Sequence, residues 1–334
     1  MNIKKIIKSQ KIRHQLMRLG SFLPDHLMIS LQYKLLLGRW PNLKSPQRFT
    51  EWIQWYKANY RDSKMLCCVD KYEVRNYVKS KNCEKYLNEL YQLCNKGEEI
   101  NFETLPQKFV IKTTSGGAGD NVLIIKDKST ISYSNIVKKI NSWLEKNYSD
   151  TSREWAYSKA ANNPRIIVER YLENTPTSFS SNQDSSPELL DYKFYCFNGQ
   201  PYVCQLISGR YTEEHIDFYD LDWNRLDGVV GLNQKAKNSP YFHQKPKNLD
   251  EMIEVTKKLS KDFPYVRVDL YNINGRIYFG ELTFYPGSGY GSFVPDSFDY
   301  ELGNLFSIKP NSKYEKNIKK QHYIHSNQNC SKNP

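Results

Sequence analysis

Apolar residues recur at helical spacing in the first sixty residues and again near 74, 136 and 249, whereas stretches near 109, 166, 192, 265 and 276 alternate in steps of two or run continuously apolar. Residues 1–62 therefore read as helical, with Pro24, Pro41 and Pro46 as breakers. Trp52, Trp55 and Tyr56 share one face, which predicts that this segment docks on the body. Asp70 and Glu73 have capping-box spacing ahead of the Val74/Val78 stripe. A strand from Phe109 enters the loop Ser115-Gly116-Gly117-Ala118-Gly119, and a second strand follows over 122–125. Residues 136–148 predict a helix with Ile136, Ile140, Trp143 and Leu144 inward, and 165–171 a strand. Asn198-Gly199 between 192–197 and 201–207 is a strong hairpin signal. A strand at 216–219, a helix at 249–259 and a hairpin from 265–271 and 276–284 complete the pattern. Residues 175–187 read as a mobile Ser/Pro/Asn-rich insertion, and 307–334 as a polar, frayed tail. Strands and helices mix without strict alternation, which predicts α+β layers rather than a doubly wound sheet.

Charge adds a second layer. Residues 1–60 hold eleven Lys/Arg against two acids, Asp25 and Glu51, so nine of the twelve net positive charges sit there. That distribution argues against a whole-surface nucleic-acid binder. It suits local contact with something anionic: a phosphate, a lipid headgroup or a lipid-linked or polyanionic glycan. Ile3, Ile6, Ile7, Leu16 and Leu19 among lysines can lie on a membrane surface, or pack on the protein with a solvated basic face. No apolar run reaches the ~18 residues of a membrane span, and no signal-peptide pattern opens the chain. Seven cysteines without a C-x-x-C support neither a disulfide framework nor a zinc ribbon, and a cytoplasmic setting is expected.

Three places carry candidate chemistry. The glycine loop is neither a P-loop nor a dinucleotide fingerprint, since no Gly-Lys-Ser/Thr follows and a strand comes next. Its backbone N–H groups can approach phosphate oxygens, with the Lys112 ammonium just before it, or it can be a tight structural hairpin. In Val266-Arg267-Val268-Asp269-Leu270, Arg267 and Asp269 share a strand face, as do Glu281 and Thr283 farther on. A two-residue Asn274-Gly275 turn sets Asp269 and Glu281 on opposite faces. A three-residue loop puts them on one face with Arg267 across from Glu281, and this arrangement is the expectation. Two gathered carboxylates suit Mg²⁺; an Arg–Glu surface pair is the alternative. Third, Pro286-Gly287-Ser288-Gly289-Tyr290-Gly291-Ser292 can offer N–H groups to a carboxylate or phosphate, or simply connect. Asp220-Leu221-Asp222 matches a glycosyltransferase Asp-x-Asp pattern but reads as a turn, and the six histidines lack ligand spacing.

The order of these features resembles the ATP-grasp superfamily, and more narrowly its TupA-like branch in bacterial surface-polysaccharide and teichuronopeptide synthesis. The likeness is carried by Asp70-Lys71, by Leu105-Pro106-Gln107-Lys108-Phe109-Val110-Ile111-Lys112 and by Glu169-Arg170-Tyr171-Leu172. It continues through Asp191-Tyr192-Lys193-Phe194-Tyr195-Cys196-Phe197-Asn198-Gly199 and Gly280-Glu281-Leu282-Thr283-Phe284-Tyr285-Pro286-Gly287-Ser288-Gly289, with Pro46-Gln47-Arg48-Phe49-Thr50-Glu51-Trp52 upstream. It implies two α+β lobes over residues 63–306 holding ATP between antiparallel sheets, behind the basic helical segment 1–62. Lys71 and Lys112 would bind the α- and β-phosphates. Ser115, Gly116, Gly117 and Gly119 would close over the β- and γ-phosphates. Glu169 and the backbone of Arg170 and Leu172 would hold adenine; Asp191 would sit near ribose and Lys193 near phosphate. Asp269, Glu281 and Thr283 would bind Mg²⁺, and Arg267 would steady the transferring charge. The loop departs from the His-Gly-Ser-Gly of relatives, and Thr283 stands where D-alanine–D-alanine ligases place Asn.

The activity so implied is an ATP-dependent carboxylate–amine ligase working through an acyl phosphate, joining an amino acid to a uronic acid or similar sugar of a capsular or cell-surface polysaccharide. Such chemistry asks the protein to position reactants and neutralise charge, which fits a chain without a nucleophilic triad. The rivals are a nucleotide-sugar glycosyltransferase, a sugar kinase on the same fold and a basic binding module. Partners under the first reading are ATP, the acid, the amine and, peripherally, a membrane or lipid-linked glycan, with no nucleic acid.

Overall fold

A computed structural model describes residues 22–116, 121–145, 152–160, 163–174, 189–209, 212–232 and 236–308. The expected N-terminal basic helix, the 175–187 insertion and the tail beyond 308 fall outside these. The described chain begins with helices α1 (Asp25–Leu37) and α2 (Phe49–Asn59), then short helices α3 (Lys64–Val69) and α4 (Val74–Ser80).

The smaller lobe is an antiparallel sheet of β1 (Leu90–Cys94), β2 (Phe109–Thr113), β3 (Val122–Ile125) and β4 (Ile166–Arg170), in the order β1-β4-β2-β3. Alternation sends Phe109, Ile111, Ile166 and Val168 to one side, where they meet Ile136, Ile140 and Trp143 of α5 (Tyr133–Leu144). The other side of β2 and β4 faces away from this core and carries Lys112 and Glu169. A short helix, α6 (Trp155–Ala160), precedes β4 and packs against α3.

The larger lobe is a five-stranded antiparallel sheet. It contains β5 (Asp191–Phe197), β6 (Gln200–Ser208), β7 (His215–Tyr219), β9 (Tyr265–Ile273) and β10 (Arg276–Thr283), in the order β10-β9-β5-β6-β7. A two-stranded ribbon of β8 (Val230–Gly231) and β11 (Phe293–Val294) lies beside it. Helix α7 (Leu249–Ser260) covers one face with Met252, Val255 and Leu259. At one end of the opposite face, Phe49 of α2 sets its ring 5.7 Å from Tyr195 and 5.1 Å from Tyr265. Helix α8 (Asp296–Gly303) completes that packing through Phe298 and Leu302. Both Asn-Gly turns form with two positive φ angles, 51° and 77° at Asn198-Gly199, 51° and 84° at Asn274-Gly275.

The predicted helical face of Trp52, Trp55 and Tyr56 is buried, but so is the rest of α2 from Phe49 to Lys57. The capping box at Asp70 is half formed. Asp70 Oδ1 accepts from the Tyr72 and Glu73 N–H groups at 2.8 and 2.9 Å. Glu73 does not reach back, because Arg165 Nη2 donates to it at 2.6 Å.

Candidate active site

Strand β5 is buried along its whole length, yet contains Asp191 and Lys193. Charges in such a place demand partners. Register supplies them: Lys193 lies opposite Asp269 and Tyr195 opposite Arg267. Asp269 accepts from Arg267 Nε and Nη2, both at 2.7 Å, and from Lys193 Nζ at 2.6 Å. Asp191 stands 3.8 Å from Lys193. Arg267 Nη2 also donates to the Thr283 hydroxyl at 3.1 Å, and that hydroxyl donates to Glu281 Oε1 at 3.0 Å. Burial raises the Asp269 carboxyl, but Arg267 and Lys193 outweigh it and hold the pKa below the ordinary value. Burial likewise opposes the Arg267 charge, and Asp269 more than compensates. Glu281 is the open member, its side chain 46% exposed.

The way these groups reach one face corrects the expectation. The hairpin turn has two residues, since Arg276 pairs with Ile273. Continued without interruption, that register would put Gly280 opposite Asp269 and Glu281 on the far face. A bulge between Phe279 and Glu281 shifts it, so that Asp269 faces Glu281 and Arg267 faces Thr283, not Glu281. Gly280 permits the bulge: a Cβ there would lie 2.9 Å from the Asp269 carbonyl oxygen. The shared face is thus as expected, from a different cause.

On the smaller lobe, Lys112 Nζ donates to Glu169 Oε2 at 2.9 Å, and Arg75 Nη1 stands 3.4 Å from Glu169 Oε1. The two residues are diagonal neighbours across β2 and β4, since Glu169 faces Val110 and Lys112 faces Ile167. Lys71 joins the lobes. Its N–H donates to Thr114 O at 2.9 Å and its Nζ to Gly116 O at 2.6 Å. Burial lowers the Lys71 pKa; Glu281 acts against this and Lys112 with it, so one ammonium feels both the cationic cradle and the acidic hairpin. A small void lined by Lys71, Gly116, Tyr157, Gly280 and Glu281 lies where they meet.

Not every predicted residue is disposed as the resemblance implies. The Glu169 carboxylate is engaged by Lys112 and Arg75. The Arg170 N–H donates to Glu89 O at 3.0 Å, and its carbonyl accepts from Asn88 Nδ2 at 2.8 Å. Leu172 is half-buried just past β4, and Ser115 O accepts from Thr113 Oγ1 at 2.7 Å. Gly117 and Gly119 lie outside the described residues. Asp220 is a turn cap, accepting from the N–H groups of Asp222 and Asn224 at 3.0 and 2.7 Å, and this removes the support for an Asp-x-Asp nucleotide-sugar site. Arg75 and Tyr157 were not singled out from the sequence. Arg75 follows Val74, the first residue of α4, by one position, which is the only signal it carries; Tyr157 carries none.

Among the described residues no group of three His, Cys, Asp or Glu is placed to hold a metal. The hairpin offers two carboxylates and a hydroxyl. Glu281 is its open ligand, while both Asp269 oxygens already accept from Arg267 or Lys193 and would join a metal only alongside those bonds. This fits Mg²⁺, which takes one or two carboxylates and completes its shell with phosphate oxygens and water.

A family model described as TupA-like ATP-grasp matches residues 51–307. No curated protein matches the chain. Among solved structures, the D-alanine–D-alanine ligase of Bacillus anthracis is 16% identical, with 77% of this chain and 70% of that one covered and a TM-score of 0.44. The same enzyme in complex with ATP is 15% identical over 77% and 68%, with a TM-score of 0.44. An L-amino acid ligase from Bacillus licheniformis is 14% identical over 66% and 42%, with a TM-score of 0.36. The family match spans well over half of the 334 residues, and the chain belongs to the TupA-like ATP-grasp family.

Proposed function

We propose that this protein is an ATP-dependent carboxylate–amine ligase that joins an amino acid to a uronic acid or similar sugar of a surface polysaccharide. The observation that carries the reading is the void in which Lys71, bonded to Gly116 just beyond the end of the smaller sheet's β2, meets Gly280 and Glu281 of the larger sheet. Lys71 and Lys112 hold the α- and β-phosphates as point charges. The Lys112 ammonium can exchange Glu169 for phosphate, because Arg75 stays with that carboxylate. Glu281, with Asp269 and Thr283 beside it, would hold Mg²⁺, which would supply neutralisation of phosphate charge.

The acid's carboxylate oxygen attacks the γ-phosphorus, forming a C–O–P linkage as the bond to the β-phosphate oxygen breaks and ADP departs. The amine then attacks the acyl carbon, the C–O bond to phosphate breaks, and the nitrogen's proton passes to the departing phosphate. Arg267, fixed by Asp269 and Thr283, steadies the negative charge of the transferring phosphoryl group. The loop from Pro286 to Ser292 begins three residues beyond Thr283 and can offer N–H groups to the acid. The basic N-terminal stretch suits an anionic or lipid-linked acceptor.

The test uses ATP, Mg²⁺, hydroxylamine and a panel of uronic and amino acids. The expected result is a hydroxamate formed with stoichiometric ADP. Silence across the panel, or a stable phosphosugar instead, would overturn the reading.

A further inference from the structure

We propose that Lys57, assisted by Gln54, is a positioning residue for this reaction: from helix α2 it holds the loop at Gly287–Gly289 in the left-handed form that borders the cleft. The proposal rests on the ligase reading given above.

Lys57 is 0% exposed, although it lies on a helix of the N-terminal region. Its ammonium donates to the Ser288 carbonyl at 3.0 Å, the Ser288 hydroxyl at 3.2 Å and the Ser152 carbonyl at 3.1 Å. It stands 4.1 Å from the centre of the Tyr290 ring. One turn earlier, Gln54 Nε2 donates to the Ser288 and Gly289 carbonyls at 3.0 and 2.8 Å. Apart from the Ser152 bond, these bonds converge on an unusual stretch of backbone. Gly287, Ser288 and Gly289 have φ of 56°, 54° and 66°, three left-handed residues in succession. Glycine takes this form freely, but serine is strained in it and needs outside support. The contact with α2 is close: a Cβ on Gly289 would lie 2.3 Å from Gln54 Nε2.

The loop adjoins the cleft through Tyr285, whose ring lies 6.1 Å from that of Tyr157, a residue lining the void with Lys71 and Glu281. It starts three residues after Thr283. Glu154, across from Lys57 and Ser288, interacts with Tyr157, whose phenol also feels Glu281 and Arg267. A cation in such a place is costly: burial draws the Lys57 pKa down, with Glu154 opposing. A methionine would fill similar space without that penalty, but it would take the ammonium from the Ser152 carbonyl and leave the Ser288 carbonyl with Gln54 alone.

The experiment compares wild type with Lys57→Met, Gln54→Ala and the double variant Lys57→Met/Ser288→Gly. The assay is ADP release with hydroxylamine and D-glucuronate, or whichever acid of the panel the wild type uses. Lys57→Met is expected to raise the carboxylate KM at least tenfold while the ATP KM changes less than twofold. Gln54→Ala should move the same constant about threefold. Ser288→Gly relieves the left-handed strain and should restore at least half of the lost carboxylate affinity, which a purely structural role for Lys57 does not predict. Equal changes in both KM values, an unchanged carboxylate KM in folded variants, or no rescue would overturn the proposal. If Lys57→Met does not fold, Gln54→Ala decides by the same split. If the wild type turns over none of the acids, the ligase reading fails on its own and hydrogen exchange decides the positioning role. Amides of Gly287–Tyr290 should then exchange at least tenfold faster in Lys57→Met or Gln54→Ala with those of β9 and β10 unchanged, and equal rates would overturn it.

Discussion

The two sheets that face each other across the cleft present charge in different ways. On the smaller lobe, Lys112 is 29% exposed and shares one carboxylate, Glu169, with Arg75. On the larger lobe, Lys193, Arg267 and Asp269 all have side chains under 10% exposed, bound in one network. The first arrangement can trade partners when a polyanion arrives. The second cannot rearrange without leaving an ion stranded, so it fixes the hairpin carboxylates before any ligand binds. The cleft thus pairs a preorganised floor with an adaptable roof.

The sharpest way to break this contrast is Asp269→Asn. It leaves Arg267 and Lys193 buried against a neutral amide, and a loss of about 3–5 kcal/mol in urea unfolding is expected along with loss of ATP turnover. A loss below about 1 kcal/mol would contradict a rigid floor. Next comes Lys112→Met. Turnover should fall by roughly 10²-fold or more if the proposed phosphate contact is lost, while stability changes by less than about 1 kcal/mol, Glu169 keeping Arg75. Unfolding and steady-state kinetics on one preparation check both halves.

The last effect, confined to stability, concerns a second buried charge of the larger lobe. Asp299 accepts from the Thr50 N–H at 2.9 Å and hydroxyl at 2.8 Å, with Arg39 at 3.2 Å. Burial outweighs these partners and pushes its pKa up to about 6 from 3.8. The native state therefore binds this proton more tightly than the unfolded chain. Its contribution is complete below about pH 4 and is lost as pH rises through 6, by ~3 kcal/mol at most. Asp299→Asn should flatten that decline between pH 4 and 7, measured by urea unfolding across the range.

Much of this architecture is written in local pattern. Asn198-Gly199 and Asn274-Gly275 announce their hairpins because few other residue pairs accept two positive φ angles. The stripe of Ile136, Ile140 and Trp143 announces the helix behind the smaller sheet. The common face of Asp269 and Glu281 was legible only as an outcome. Gly280 looks like any strand glycine until its contact with the Asp269 carbonyl shows that it is the bulge. Lys57 and Tyr157 were illegible for another reason. Their roles depend on chain segments over a hundred residues away, and spacing on α2 or α6 says nothing about what the fold will bring beside them.

Helix α2 has a practical corollary. The family match opens at Glu51, inside the helix, two residues after the Phe49 ring that packs on Tyr195 and Tyr265 and one after Thr50, the partner of Asp299. Excising the matched region alone would amputate that anchor and leave an aromatic hollow at the end of the larger sheet. A fragment meant to fold should instead begin upstream of α1, so that recombinant work keeps the leading helices as part of the catalytic body.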